Sequence, residues 1–594
     1  MNKGYPQSWD LDVFYEGGAS SAAFLQELKG IEADIAKLDS SLAEEADHAA
    51  SDIAYMTELL QSVLVRLRQS ESFVSCLMAQ NIRDSAASAR NDNVKTLAAK
   101  FLGVLTRFDN RLRELDDQEW AELLDHEKLA EVAFSLNERR ELAKQKMAPE
   151  LEALAGDLAV DGYHGWGDYY NVIVSRAKFT DIGKNGEKQI LSAGQMQNRL
   201  SDGDRAVRQA AFAEWEREWS EQADLCADTL NRISGFRLKL YEKRGWDSVL
   251  QEPLQMNRMS EATLQAMWDA IQESKDVLVR YLDRKAKLLG VEKLDWHDVE
   301  APIGSATKTI PYDEAAAFIV EQFRSFSPEL ADFSEMAFRD GWIEAEDRVG
   351  KRPGGFCTAF PKSGQTRIFM TYSGSASNIS TLAHELGHAY HQHVMNDLPA
   401  LSQEYAMNVA ETASTFAELI VSDRAMKAAV EHEEKLGLLE DKIQRSVAFF
   451  MNIHARFLFE TRFYARRSEG LVSVEELNDL MVEAQREAYC DKLGEVHPHF
   501  WASKLHFYLT DVPFYNFPYT FGYLFSAGIY ARSLKEGSDF KSQYVALLRD
   551  TGRMSVEQLA AVHLGVNVEE KDFWRDAVAL TAVDVDQFIE MTNE

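Results

Sequence analysis

The scarcity of proline constrains this chain most. Prolines occupy 12 of 594 positions, and the stretches 7–148, 400–497 and 519–594 contain none. The usual share is about 5%. Proline in a helix interior costs about 3 kcal/mol or more because it removes a hydrogen bond and clashes with the preceding turn, so helices can run long here. Leu28, Ile31, Ile35, Leu38 and Leu42 repeat at alternating spacings of three and four, which places one apolar stripe along a helix. The same periodicity recurs widely, and the fold class it predicts is mainly α.

Single cores stop growing at roughly 250–300 residues, so a chain of 594 residues implies several domains or one very large helical body. Residues 18–160 read as helix after helix, interrupted by polar breaks such as EEADHAASD at 44–52. The texture changes at 161–191, where glycine, aspartate and β-branched residues cluster and GKNGEK forms a turn between extended segments. Helical periodicity resumes after Ser201 and Asp202, which are candidate caps. These features predict an N-terminal helical domain over 1–195 and a second domain over 196–594. HDVEAPIGSATKTIPYDE (297–314) reads as a surface connection. In 348–374, GGFCTAF and TRIFMTY flank PKSGQ, which predicts a β-hairpin and hence a small sheet.

The formal charge of −32, from 96 acidic against 64 basic residues, disfavours binding a polyanion by bulk electrostatics. Nucleic acid is therefore excluded as an expected partner. Cys76, Cys226, Cys357 and Cys490 are scattered, with no C-x-x-C pair, which fits a reducing cytoplasm. The first residues lack a basic start followed by an apolar core, and no run of 18 apolar residues occurs, so neither secretion nor a membrane partner is expected.

Within this frame TLAHELGHAYHQH (381–393) stands out. On a helix, His384 and His388 lie one turn apart and can meet a single ion at about 2.0–2.1 Å. Glu385, offset by one residue, is held outside the ligand set and suits a general base. Gly387 costs about 1 kcal/mol against alanine in a helix interior, which makes sense if backbone or substrate passes close to it. A third ligand is needed. A metzincin would carry glycine at 391 and histidine at 394, where this chain has His391 and Val394. No separate cysteine motif of the deformylase kind is present, and His391 and His393 read as surface or packing residues. Glu404, Glu411 and Glu418 share one face of a later helical segment at seven-residue spacing. Seven residues advance about 10.5 Å, so one of the three reaches the ion; Glu411, the central one, is favoured, and Glu404 and Glu418 take surface or salt-bridge roles.

HELGH (384–388) followed by ETAS (411–414) resembles the oligoendopeptidase F branch of the thimet-oligopeptidase-like zinc metallopeptidases. WDLDVFY, GGFCTAF and HFYLTDVPFYNFPYTFGYLFS (506–526) also look like that branch, so the resemblance spans nearly the whole chain. It implies a largely helical body with a deep channel admitting short unstructured peptides, one Zn2+ per chain on His384, His388 and Glu411, and Glu385 as catalytic base. It further implies a histidine and tyrosines opposite the zinc. Pro518 suits a first helical position and would put Tyr519 and Tyr523 on one face, with Tyr515 in the loop before them. His506 is the chosen histidine, with His497 and His499 as alternatives.

Gly354, Gly355 and Phe356 would open a strand edge along which substrate backbone pairs. The function expected is therefore a zinc-dependent endopeptidase of short peptides, as a monomer or weak homo-oligomer. A dipeptidyl carboxypeptidase-type exopeptidase and a non-catalytic peptide-binding protein are the alternatives.

Overall fold

A computed structural model describes residues 4–43, 50–182, 187–303, 309–537 and 540–593. The protein is mainly α-helical, with two small sheets. It divides into two compact units, and neither is a continuous stretch. The first comprises Met1–Lys146, Thr307–Ala425 and Arg532–Gly565, and the second Met147–Ala306, Met426–Ala531 and Val566–Glu594. The linear division at 195/196 falls inside the second unit, because the helix Arg205–Arg244 packs against Gly165–Arg176, which precedes that division.

In the first unit the helices Ala22–Ala43, Ala50–Gln80 and Ser85–Glu114 pack on one another. The apolar stripe is buried at Leu28, Ile31, Ile35 and Leu38 and half-buried at Leu42. Most of the polar break after it, residues 44–49, lies outside the described residues. Asp84 caps the third helix by accepting from the Ala87 amide at 2.9 Å.

The predicted hairpin forms from Phe356–Phe360 and Gln365–Phe369, paired antiparallel, and Ile343–Glu344 adds parallel to the second strand. Gly364, at φ 61°, takes the left-handed position that the turn requires. Phe356 stacks on Phe369 with centroids 5.2 Å apart, and Trp9 packs against both rings. The helix carrying HELGH, Ala376–Met395, lies against both hairpin strands. The expected sheet thus adjoins the expected metal helix.

In the second unit, DGYHGWGDYYNVIVSR is helical: a single wide turn at Val160–His164 leads into Gly165–Arg176. The extended texture is confined to Phe179–Ile182 and Lys188–Leu191, which pair antiparallel. Residues 183–186 between them lie outside the described residues. Asp204, rather than Ser201 or Asp202, caps Arg205–Arg244 by accepting from Ala206 at 2.9 Å. Ser201 instead closes the preceding helix, Ala193–Leu200. The C-terminal helix Lys571–Thr592 packs on Glu261–Glu273, Lys275–Leu288 and His432–Val447. Of the connection at 297–314, residues 304–308 lie outside the described residues.

Candidate metal centre and its supporting residues

Ser375 caps the helix Ala376–Met395 by accepting from the Asn378 amide at 3.2 Å. His384 and His388 leave the same face, with ring centroids 4.8 Å apart and planes at 83°. The helix Met407–Ala428 brings Glu411 to them: its Oε2 is 3.3 Å from His384 Nε2 and 3.7 Å from His388 Nε2. Two ligands of a tetrahedral zinc, each at about 2.0–2.1 Å, stand about 3.4 Å apart. The donor set therefore fits a zinc ion in spacing and in ligand type.

Gly387 explains how the two helices approach closely enough. A Cβ at 387 would lie 2.5 Å from the Ala413 carbonyl oxygen and 2.6 Å from the Ser414 Cα. The backbone passing this glycine is thus the one that carries the third ligand. Ser414 donates to Glu411 Oε2 at 2.8 Å, fixing the carboxylate from one turn further along the same helix. Glu418, read from sequence as a surface or salt-bridge residue, pairs with His384 Nδ1 at 3.4 Å. It thereby directs Nε2 toward Glu411. His388 has a corresponding backbone partner at Ala410.

Electrostatics support the same roles. Burial pushes His388 down to about 4, which keeps its imidazole neutral, the form that binds a metal. Burial alone would raise the Glu411 carboxyl, but the hydrogen bond from His384 and the two imidazoles outweigh it and hold it at about 2. Glu385 is buried, its Oε2 has no hydrogen-bond partner among the described residues, and burial, with help from Glu411, lifts its carboxyl to about 7. A carboxyl poised near neutrality suits proton transfer.

His391 and His393 are packing residues. His391 stacks on Tyr405 at 4.3 Å and hydrogen-bonds Thr551 at 2.8 Å, and His393 lies 4.6 Å from the Phe333 ring. Asp295, His297 and Glu495 form another triad with ligand-like spacing among the described residues. There, Asp295 is already occupied by Arg205 at 2.8 Å and by the Glu495 amide at 2.7 Å.

The strand edge also borders Glu385. Ile368 donates to Trp342 on the far side of its strand, so strand alternation turns Phe356, Thr358 and Phe360 toward their partner strand and Cys357 and Ala359 outward. Ser72 takes the Ala359 carbonyl at 2.7 Å. The open backbone is therefore that of Cys357 and, by the same alternation, Gly355, rather than that of Phe356. A Cβ at Gly355 would lie 3.6 Å from Glu385 Oε1, and Gly354 has φ 93°.

In the second unit, His506, Tyr515 and Tyr519 come together. Tyr519 donates to the Tyr515 hydroxyl at 2.8 Å, and the His506 ring centroid lies 5.3 and 6.4 Å from the two tyrosine rings. His506 Nδ1 is buried without a hydrogen-bond partner among the described residues. The alternatives are committed elsewhere, since His497 and His499 both bond Glu216. Tyr519 and Tyr523 sit on the helix Phe517–Glu536, which starts one residue ahead of Pro518. Tyr523 stacks on Phe449 at 4.6 Å and meets Ser446 Oγ at 3.1 Å, outside the His506 cluster. The loop before the helix is held by Phe514, at a left-handed φ of 52°, whose backbone hydrogen-bonds the buried Glu460.

The family model described as peptidase family M3 matches residues 199–573, and the one described as oligopeptidase F matches 112–179. An oligoendopeptidase F homolog of Lactococcus lactis subsp. lactis is 23% identical over 589 residues, covering 95% of this chain and 94% of that protein. The group B oligopeptidase PepB of Streptococcus agalactiae is 24% identical over 71% of this chain and 70% of its own length. The crystal structure of oligoendopeptidase-F from Enterococcus faecium aligns with TM-score 0.72 at 19% identity, covering 96% of this chain and 99% of that one. The chain belongs to peptidase family M3.

Proposed function

We propose that this M3 peptidase is a zinc-dependent endopeptidase of short, unstructured oligopeptides. The observation that carries this reading is the convergence of His384, His388 and Glu411 within ligand spacing, beside the Glu385 carboxyl, whose Oε2 has no hydrogen-bond partner among the described residues. The names of its relatives support oligopeptides as the substrate class. Four unpaired cysteines fit a reducing compartment, and no described helix is long and apolar enough to cross a membrane.

His384, His388 and Glu411 would hold the ion, oriented by Glu418, Ala410 and Ser414. Bound zinc supplies Lewis acidity, which polarises the scissile carbonyl and brings the pKa of water from 15.7 to roughly 7. Glu385 takes the proton of the attacking water and returns it to the leaving amine. The edge at Gly355 and Cys357 pairs with substrate backbone next to that carboxyl, giving affinity without demanding a sequence. His506 and Tyr515, whose hydroxyl accepts from Tyr519 and keeps its own proton free, donate to the developing oxyanion, a contribution typically of about 3–4 kcal/mol per donor; Tyr523 is a further candidate for this role.

The test is turnover of an internally quenched peptide capped at both ends, with bound zinc measured on the same samples. Glu385→Gln should keep its zinc and lose hydrolysis, and Glu411→Ala should lose zinc. An active Glu385→Gln protein contradicts the mechanism. Cleavage restricted to uncapped peptides would assign an exopeptidase instead.

A further inference from the structure

The second unit contains a cavity of about 570 Å³ whose lining includes the cations Arg445, Arg456 and Lys504 and the carboxylates Glu300, Glu440 and Asp441. Arg456 and Lys504 line it and flank one ring, lying 5.3 and 5.6 Å from the Phe500 centroid. Neither forms an ion pair among the described residues. Arg456 donates to Asn516 at 3.1 Å, and its Nε is buried with no acceptor among the described residues. Glu300, itself exposed, is the lining carboxylate that attracts both cations. Glu440, at another part of the lining, is already taken by Lys285 at 2.7 Å.

Holding two positive groups in a desolvated site is unfavourable unless something negative joins them. Burial lowers Arg456 to about 10. Burial and the charge of Arg456 together lower Lys504 to about 8. The ring of Phe500 compensates only part of this, since a cation–π contact is typically worth about 0.5–2 kcal/mol. The arrangement is that of a carboxylate receptor: a guanidinium fork with a free Nε beside an ammonium, in a partly enclosed cavity.

The location indicates which carboxylate. Asn516, which Arg456 binds, lies between Tyr515 and Tyr519, and both cations act electrostatically on His506. The geometry points to Arg456 and Lys504 as the subsite that receives the negative end of a peptide substrate, either its C-terminal carboxylate or an acidic side chain near it. This inference rests on the peptidase reading, and it adds a preference for peptides that carry a negative end.

Titration calorimetry of the full chain tests it without requiring turnover, so an inactive enzyme and an absent subsite give different results. The ligands are an N-acetyl dipeptide acid, its C-terminal amide, the same amide with glutamate as second residue, and inorganic phosphate. The acid should bind about 10- to 100-fold more tightly than the amide, the range expected for hydrogen bonds between charged groups. Lys504→Met and, separately, Arg456→Gln should remove most of that difference while leaving the amide unaffected, so the amide serves as the control for folding. Tight binding of the glutamyl amide would identify the side chain as the source of the carboxylate. Equal affinity for acid and amide, a preference that survives both substitutions, or binding of phosphate alone would overturn the assignment.

Discussion

Two regions, one in each unit, gather titratable side chains, and they are built differently. Around HELGH, functional groups are fixed by helix geometry: two imidazoles one turn apart, a carboxylate on a second helix, and a glycine that lets the helices touch. Around His506 they are fixed by a loop and a helix start, with Phe514 in a left-handed conformation and Glu460 hydrogen-bonding it from below. Each region buries a carboxyl that burial lifts to about 7, Glu385 in one and Glu460 in the other. Glu385 borders the open strand edge, whereas Glu460 supports backbone. A perturbed acid therefore becomes a catalytic candidate only where an approach for substrate exists beside it.

The comparison can be broken in several places. The largest effect is expected at Glu385→Gln, where losing a general base should cost about 10²–10⁴-fold in kcat, measured on zinc-loaded protein. Glu460→Gln should instead leave kcat within a few-fold. Among the tyrosines, Tyr515→Phe should lower kcat by about 10²–10³-fold, the loss expected for an oxyanion donor. Tyr523→Phe separates the two groups: a comparable loss would extend the His506 cluster to it, and unchanged turnover would assign it to packing against Phe449.

Smaller effects sharpen the support of the metal. Glu418→Gln and Ser414→Ala should each weaken zinc by about 10–100-fold, as substitutions behind metal ligands typically do, read by competition with a chromophoric chelator. Gly387→Ala should weaken zinc as well, because its methyl group meets the Ala413 carbonyl and pushes Glu411 from the histidines. Zinc affinity unchanged in Gly387→Ala would show that the helix contact is not what positions Glu411.

A stability change with pH is expected at Glu460. Its folded value of about 7 lies above the ordinary 4.5, so the folded state holds a proton that the unfolded state releases. This penalty is absent below about pH 4.5, grows as pH rises toward 7 and is complete above it, reaching about 3 kcal/mol. Glu460→Gln should therefore raise the midpoint of chemical unfolding at pH 8 and leave it unchanged at pH 4. Equal shifts at both pH values would mean that packing, not ionisation, is responsible.

The sequence was most legible where a period fixes position. Proline scarcity and the Leu28–Leu38 stripe foretold the helices, and the spacing of HELGH placed both imidazoles on one face. Glu411 could be chosen over Glu418 because helix rise separates them, whereas Glu404 lies ahead of the helix Met407–Ala428, on an extended residue paired with Arg68. What that spacing could not reveal was the neighbour behind each ligand: Glu418 reaches His384 only through the particular packing of two helices. Strand alternation likewise needed the third strand, since only the bond from Ile368 to Trp342 shows that Cys357, not Phe356, faces outward. The linear domain division failed to match the compact units because each unit gathers segments distant in sequence. The Arg456 and Lys504 pair gave no signal, because 48 residues separate two groups that share one aromatic ring.

The central claim is that one ion sits between the two HELGH imidazoles and Glu411. Diffraction from zinc-loaded crystals, recorded on both sides of the zinc absorption edge, tests it directly. The predicted result is a single strong anomalous peak at about 2.0–2.2 Å from His384 Nε2, His388 Nε2 and a Glu411 oxygen. A peak at Asp295, His297 and Glu495 instead, or one at the histidines with Glu411 turned away, would contradict it.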